Sequence, residues 1–289
     1  MNKKNLFILL IIISVSFSSV NVFAVSIEND ELKVETYNEN VEKYALLVGV
    51  GIASCPYTIY DVLDMRDALI SHGWKNSNIK CLTGLIEASK SSILNNIEGW
   101  LDFHEDSNDI VLFYFSGHGS YNHIMGANII SGGDPDKYEI SGHELDYSLS
   151  KLESKKILVI LDSCYSGSFT EIINPVSKPG RMILASCGPL ETSTYSPDHQ
   201  NGIFTFYLSC ALDFVHGFSN VDRNKDNWIS ANEAFSYAKK TVPFSNIFQH
   251  PHKYDGIPGD LLITKQNKKI KSLKLLFSFR EKNFLNKIL

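Results

Sequence analysis

Ile110-Val111-Leu112-Phe113-Tyr114-Phe115 leads straight into Ser116-Gly117-His118-Gly119, and Ile157-Leu158-Val159-Ile160-Leu161 leads into Asp162-Ser163-Cys164-Tyr165-Ser166-Gly167. Five or six apolar residues without a polar break predict a strand buried on both faces, as in a parallel sheet covered by helices. In such sheets ligands gather beyond the carboxyl ends of the strands. His118 and Cys164 are expected at that edge.

The flanking sequence extends the pattern. Tyr44 to Val50 reads as a first strand, and Ile59 to His72 as a helix with Val62, Met65, Leu69 and Ile70 on its apolar face and Gly73 as its stop. Ile79 to Leu82 is a short strand. Ser89 to Phe103 is an amphipathic helix with Ile93, Ile97, Trp100 and Leu101 inward. A helix from Gly142 to Leu152 precedes the strand Lys156 to Leu161. Four strand and helix alternations predict an α/β fold with a mostly parallel sheet. Beyond Cys164 the chain reads as a loop, a strand from Arg181 to Cys187 and a long polar segment from Gly188 to Gly202. Helices over Phe204 to Phe214 and Ser230 to Thr241 and a last strand, Asp260 to Thr264, complete it.

The 289 residues, 44% hydrophobic and 20% charged, suit one globular domain with a sizeable core. Lys3 and Lys4 precede an apolar run from Leu6 to Ile13 and then Val22-Phe23-Ala24, which predicts a signal peptide over residues 1–24, cleaved after Ala24, and export. An uncleaved anchor is the competing reading. Residues 25–42 read as a linker, 43–264 as the folded domain and 265–289 as a basic tail. The tail holds eight Lys or Arg against one Glu, so the body carries a net charge near −12. It would rest on an anionic membrane surface or on the acidic body, or be a plain end. An acidic body without a basic stripe of interleaved aromatics disfavours nucleic acid as a partner. Five cysteines cannot all pair internally, so at least one thiol is free. Cys81, Cys187 and Cys210 lie in apolar stretches and read as small buried hydrophobes.

A cysteine thiol is mostly protonated at neutral pH, and an imidazole able to take its proton makes it a nucleophile. His118, between Gly117 and Gly119, follows a buried strand into a turn where the backbone can approach a substrate closely. The N–H groups of Gly119 and Cys164 are the candidate oxyanion donors. A Gly-His-Gly turn or a post-strand cysteine alone is weak. Their joint position at two strand ends points to cysteine nucleophilic chemistry.

From Tyr44 to Thr264 the chain resembles the caspase-like cysteine peptidases, and among them the bacterial and metacaspase-like branch. The resemblance rests on Tyr44 to Gly49, Asp61 to Gly73, Phe115-Ser116-Gly117-His118-Gly119, Leu161 to Gly167 and Phe204-Thr205. It implies a three-layer α/β/α sandwich and a Cys-His dyad, Cys164 and His118, acting through a thioester acyl-enzyme with no cofactor. The 46-residue separation of the dyad is near that of caspase-type enzymes. Tyr165 departs from the metacaspase pattern, which has His after the nucleophile. By the same resemblance Asp162 and Asp61 would line a pocket for Arg or Lys, making a peptide with a basic residue at the cleavage site the expected partner. A carboxylate capping the turn after Asp162 and a helix N-terminal charge at Asp61 are the alternatives. At the level of function, the competing readings are an inactive caspase-like binding module and a clostripain- or gingipain-like peptidase.

Asp222, Asn224, Asp226, Trp228, Ser230 and Glu233 occupy positions 1, 3, 5, 7, 9 and 12 of a stretch that opens a helix, the ligand spacing of an EF-hand loop for Ca²⁺. Position 6 is Asn227, which tolerates the left-handed torsion that Gly usually supplies. An Asx-rich turn capping the helix is the alternative. His250 and His252, with only Asp255 nearby, make a poor zinc set.

Overall fold

The computed structural model describes residues 41–51, 57–122, 126–133, 138–213 and 221–265 in full, and the backbone of 13–16, 19–28 and 31–38. Cys55, the first half of the predicted leader and the tail beyond Lys265 lie outside these residues. The chain divides into two units, residues 1–42 and 43–289. In the first, Ile13–Ser16, Ser19–Glu28 and Glu31–Asn38 pair antiparallel in sequence order.

The second unit is built on a six-stranded sheet. In chain order its elements are β1 (Lys43–Gly49), α1 (Thr58–Ser71), β2 (Ile79–Thr83), α2 (Lys90–Asn95), β3 (Ile110–Ser116), the hairpin strands β4 (His118–Asn122) and β5 (Gly126–Ile130), and β6 (Glu139–Ser141). They continue with α3 (Gly142–Leu149), β7 (Ile157–Asp162), β8 (Arg181–Ala185), α4 (Ile203–Leu212), β9 (Trp228–Ser230), α5 (Ala231–Ser245), β10 (His252–Asp255) and β11 (Leu262–Lys265). The sheet order is β10-β8-β7-β3-β1-β2, parallel except for β10.

Strand periodicity divides the core. Leu112, Tyr114, Leu158 and Ile160 face α1, α4 and α5, whereas Val111, Phe113, Phe115, Val159 and Leu161 face α2 and α3. Every residue of β3 and β7 is buried, which is why both read as unbroken apolar runs. This is the expected three-layer α/β/α arrangement. The helix after β2 runs on from α2, with its middle turn Asn96–Leu101 widened to i→i+5 bonding. Gly73 takes φ +102° just past α1, the left-handed stop expected of it.

Two features go beyond the sequence reading. The last strand, β11, pairs with β9 outside the central sheet. The sixth place in that sheet goes to β10, which no apolar run announces, because an edge strand packed on one side alternates half-buried with exposed residues.

Candidate functional site: a thiol beside two buried carboxylates

β3, β7 and β1 end flush. Ser116 lies opposite Asp162 on one side and Gly49 on the other, and the Gly117 N–H donates to the Asp162 carbonyl at 3.2 Å. Beyond this line the strands diverge into a hairpin and a tight turn. Tyr165 sits in that turn at φ 63°, a left-handed conformation unusual for a bulky residue. Its N–H donates to the Glu191 carbonyl at 2.8 Å, and its ring packs 5.9 Å from that of Tyr121 on the hairpin. These contacts hold the backbone that presents Cys164.

His118 and Cys164 are both partly exposed at this edge. Their backbones are brought together at Gly119, where a Cβ would lie 2.0 Å from the Cys164 carbonyl oxygen. Only glycine permits this approach. Burial pushes the Cys164 thiol up, with the Asp162 charge adding to it, while the Ser193 backbone and its own N–H act in the opposite direction. The group therefore rests as a thiol, which donates to the Ser193 carbonyl at 3.7 Å. An acceptor for its proton is needed before it can attack.

Asp61, in the first turn of α1, and Asp162, at the tip of β7, share a pocket walled by Tyr57, Ser116, Ser193, Tyr195 and Gly202. Both are buried. Asp61 Oδ2 accepts from Ser116 Oγ at 2.6 Å, and its Oδ1 from Asn201 Nδ2 at 3.0 Å and Gly202 N at 2.9 Å. Asp162 Oδ2 accepts from the N–H and hydroxyl of Thr205 at 3.1 and 2.7 Å, and its Oδ1 from Ser193 Oγ at 2.6 Å. Thr205 stands in the first turn of α4, so the helix dipole also favours a negative charge there. Burial, and secondarily the charge of Asp162, push the Asp61 carboxyl up to about 7. Burial raises Asp162 as well. Gly202 fits between them, since a Cβ there would approach Asp162 Oδ2 to 2.3 Å. The rings of Tyr57 and Tyr195, 5.1 Å apart, flank the opening. Two buried carboxylates with aromatic rings lining the same pocket make a locally negative, partly apolar cavity.

Sequence reasoning named Asp61, Asp162, Cys164, His118 and Gly119, and all five lie along this edge. It gave no role to Ser193, Asn201, Gly202 or Gln249. Asn201 and Gly202 form a two-residue strand, and Ser193 and Gln249 stand in irregular segments, where no periodicity distinguishes them. Cys187 and Cys210 are buried and Cys81 partly so, and none of the four described cysteines is in a disulfide.

In the 222–233 loop, Asn227 takes the left-handed conformation at φ 68°, and its N–H donates to Asp222 Oδ2 at 3.1 Å. Glu233 is engaged locally, closing a capping box with Ser230 and accepting the Arg223 N–H at 2.8 Å. Among the described residues no three His, Cys, Asp or Glu side chains gather closely enough to hold a metal ion. Lys178 and Arg181, the basic residues after the nucleophile, are both paired with Asp146, and Arg181 is buried.

The profile of the caspase domain, peptidase family C14, matches residues 40–270. Curated relatives are metacaspase-1 of Lodderomyces elongisporus, 27% identical over 63% of this chain and 49% of that protein, and metacaspase-1 of Debaryomyces hansenii, 26% identical over 75% and 52%. Metacaspase-1 of Plasmodium falciparum is 28% identical over 45% of this chain and 25% of its own. The matched region thus spans a quarter to about half of the length of these relatives. A crystal structure of a Geobacter sulfurreducens protein superposes with a TM-score of 0.52 at 16% identity, over 78% of this chain and 98% of that one. That likeness speaks for the fold.

Two outcomes follow from the geometry. Gly119→Ala drives a methyl into the Cys164 carbonyl and destabilises the protein by about 1–3 kcal/mol in urea denaturation; unchanged stability would mean the two backbones are not in contact. Asp61 has a folded value raised above its ordinary 3.8, so the folded state holds a proton that the unfolded state has lost between about pH 4 and 7. Wild-type stability therefore declines across that window relative to Asp61→Asn. Parallel stability curves for the two proteins would show that Asp61 is not buried as described.

Proposed function

The chain belongs to the caspase-domain family, and from that premise we propose that it is an exported cysteine endopeptidase cutting after arginine or lysine, with Cys164 as nucleophile and His118 as general base and acid. The observation that carries the specificity is the pair of buried carboxylates, Asp61 and Asp162, in a pocket whose wall residue Ser193 also accepts the Cys164 thiol. A cation entering it removes the repulsion between the two charges, whereas an aspartyl side chain would add a third.

With the substrate side chain seated, Cys164 Sγ bonds to the scissile carbonyl carbon as its proton passes to His118. The N–H groups of Gly119 and Cys164 receive the oxyanion. As the C–N bond breaks, His118 returns the proton to the departing amine, leaving a thioester on Cys164. Water then attacks the thioester, giving a proton to His118, and the C–S bond breaks as the thiolate regains it. These steps use side chains and backbone alone. Lys178 and Arg181 are poor sites for self-cleavage in the folded chain, because Asp146 holds both and Pro179 follows Lys178.

A fluorogenic peptide panel tests this reading. Arginyl and lysyl peptides are expected to be cut at least about 100-fold faster than aspartyl ones, a margin consistent with the ~3 kcal/mol scale of charge pairing in a buried pocket. Asp162→Asn should raise KM for the arginyl peptide, and in the wild type that KM should fall as pH rises through 7, where Asp61 ionises. Faster cleavage after aspartate sinks the specificity. No cleavage of any peptide, with Cys164 inert to iodoacetamide, would favour a binding module.

Calcium is a second element of the proposal. Asp222 Oδ1 is buried without a hydrogen-bond partner, and Asp222, Asn224, Asp226, the Trp228 carbonyl, Ser230 and Glu233 are the oxygens that would surround an ion. Glu233 would exchange the Arg223 N–H for the metal. Millimolar Ca²⁺ is expected to raise the melting temperature, and an unchanged melt would remove the site. Contact of residues 265–289 with an anionic membrane remains part of the same proposal for an exported protein.

A further inference from the structure

Ser193 touches the acidic pocket with one end and the nucleophile with the other. Its hydroxyl donates to Asp162 Oδ1 at 2.6 Å, and its carbonyl accepts the Cys164 thiol at 3.7 Å. We infer that Ser193, fixed by Gln249, is a positioning residue through which occupancy of the acidic pocket releases the Cys164 thiol for reaction. The inference rests on the proposed roles of Asp162 and Cys164.

Gln249 is fully buried, and its amide uses all its hydrogen-bonding capacity on this segment and the adjoining strand end. Oε1 accepts from the N–H and hydroxyl of Thr194, each at 3.0 Å. Nε2 donates to the Ser186 carbonyl at 3.0 Å and to Ser193 Oγ at 3.2 Å. The Thr194 N–H can only donate and the Ser186 carbonyl can only accept, so the amide orientation is determined. Because Nε2 is a donor, the Ser193 hydroxyl proton is directed at Asp162. Gln249 itself is not part of the pocket wall.

An incoming guanidinium or ammonium needs carboxylate oxygens. Both bonds from Thr205 fall on Asp162 Oδ2, so Oδ1, bonded to Ser193 Oγ while the Ser186 hydroxyl also acts on this carboxylate, is the oxygen more readily given up. When the cation takes Oδ1, Ser193 keeps Gln249 but loses the partner that draws it toward β7. At 3.7 Å the thiol contact is longer than the sulfur contacts of Cys187, which are 3.3 to 3.5 Å, so a small shift of the segment ends it. The thiol then becomes available to His118 only when a basic side chain is in place. Gln249 keeps the displacement small by holding Thr194 to Ser186 throughout.

The test is the rate of Cys164 alkylation by iodoacetamide, a reagent too small to need the pocket, with and without methylguanidinium, read alongside kcat and KM on an arginyl peptide. In the wild type, methylguanidinium is expected to accelerate alkylation severalfold. Ser193→Ala should alkylate faster at rest, lose the response, and drop kcat about tenfold by misplacing the segment, whereas Ser193→Thr, which keeps the hydroxyl, should restore the response. Gln249→Leu should lower kcat as well, although it touches no substrate. A wild type indifferent to methylguanidinium overturns the inference, as does a Ser193→Ala protein that raises KM alone and keeps the response. Failure of arginine preference in the peptide panel is a separate result and refutes the pocket reading instead.

Discussion

Two carboxylates, Asp61 and Asp162, are buried within one small pocket where the sheet ends, and most of the surrounding structure compensates for that arrangement. Burying like charges without a cation is unfavourable. Hydrogen bonds from Ser116, Asn201 and Gly202 to one group and from Ser193 and Thr205 to the other offset part of the cost, and a proton retained on the pair near neutral pH offsets more. The donors come from four places: the tip of β3, the 188–202 segment, its junction with α4, and the first turn of α4. Tyr114, wholly buried in β3, extends the network by sharing a 2.7 Å bond with the Thr205 hydroxyl. An arrangement so expensive to the free protein has a physical rationale if a positively charged ligand completes it.

The same constraint organises the neighbourhood of the sulfur. The 188–202 segment is tied to Asp162 by Ser193 and to Asp61 by Asn201 and Gly202. It therefore passes over Cys164, where its Ser193 carbonyl meets the thiol. The left-handed Tyr165 and the bare Cα of Gly119 let two strand tips and one turn converge without a Cβ between them. The proposed dyad, oxyanion donors and specificity carboxylates are thus consequences of one line of register, Gly49, Ser116 and Asp162.

How much of this was readable in advance follows from the kind of signal each part leaves. β3 and β7 are buried on both faces, so their limits appear as apolar runs that end within a residue of the expected positions. α1 announced itself by 3.6-residue spacing and Gly73. β10 did not, because His252, Lys253, Tyr254 and Asp255 carry the alternation of an edge strand in only four residues. The β4–β5 hairpin was hidden by its glycines and polar residues. At the site, Cys164 and His118 were legible because a reactive residue followed each apolar run, and Asp61 and Asp162 came from family resemblance. Ser193, Asn201 and Gln249 matter only through tertiary proximity, which a single sequence does not encode in any local pattern.

In the proposed function Cys164 attacks substrates chosen by a cation-binding pocket. Mass spectrometry of the intact protein after treatment with a peptidyl-arginine acyloxymethyl ketone, against its peptidyl-aspartate counterpart, tests both halves at once. The account predicts one adduct, on Cys164, formed rapidly from the arginyl reagent and lost in His118→Ala. An adduct on another residue, or equal labelling by the aspartyl reagent, would contradict it.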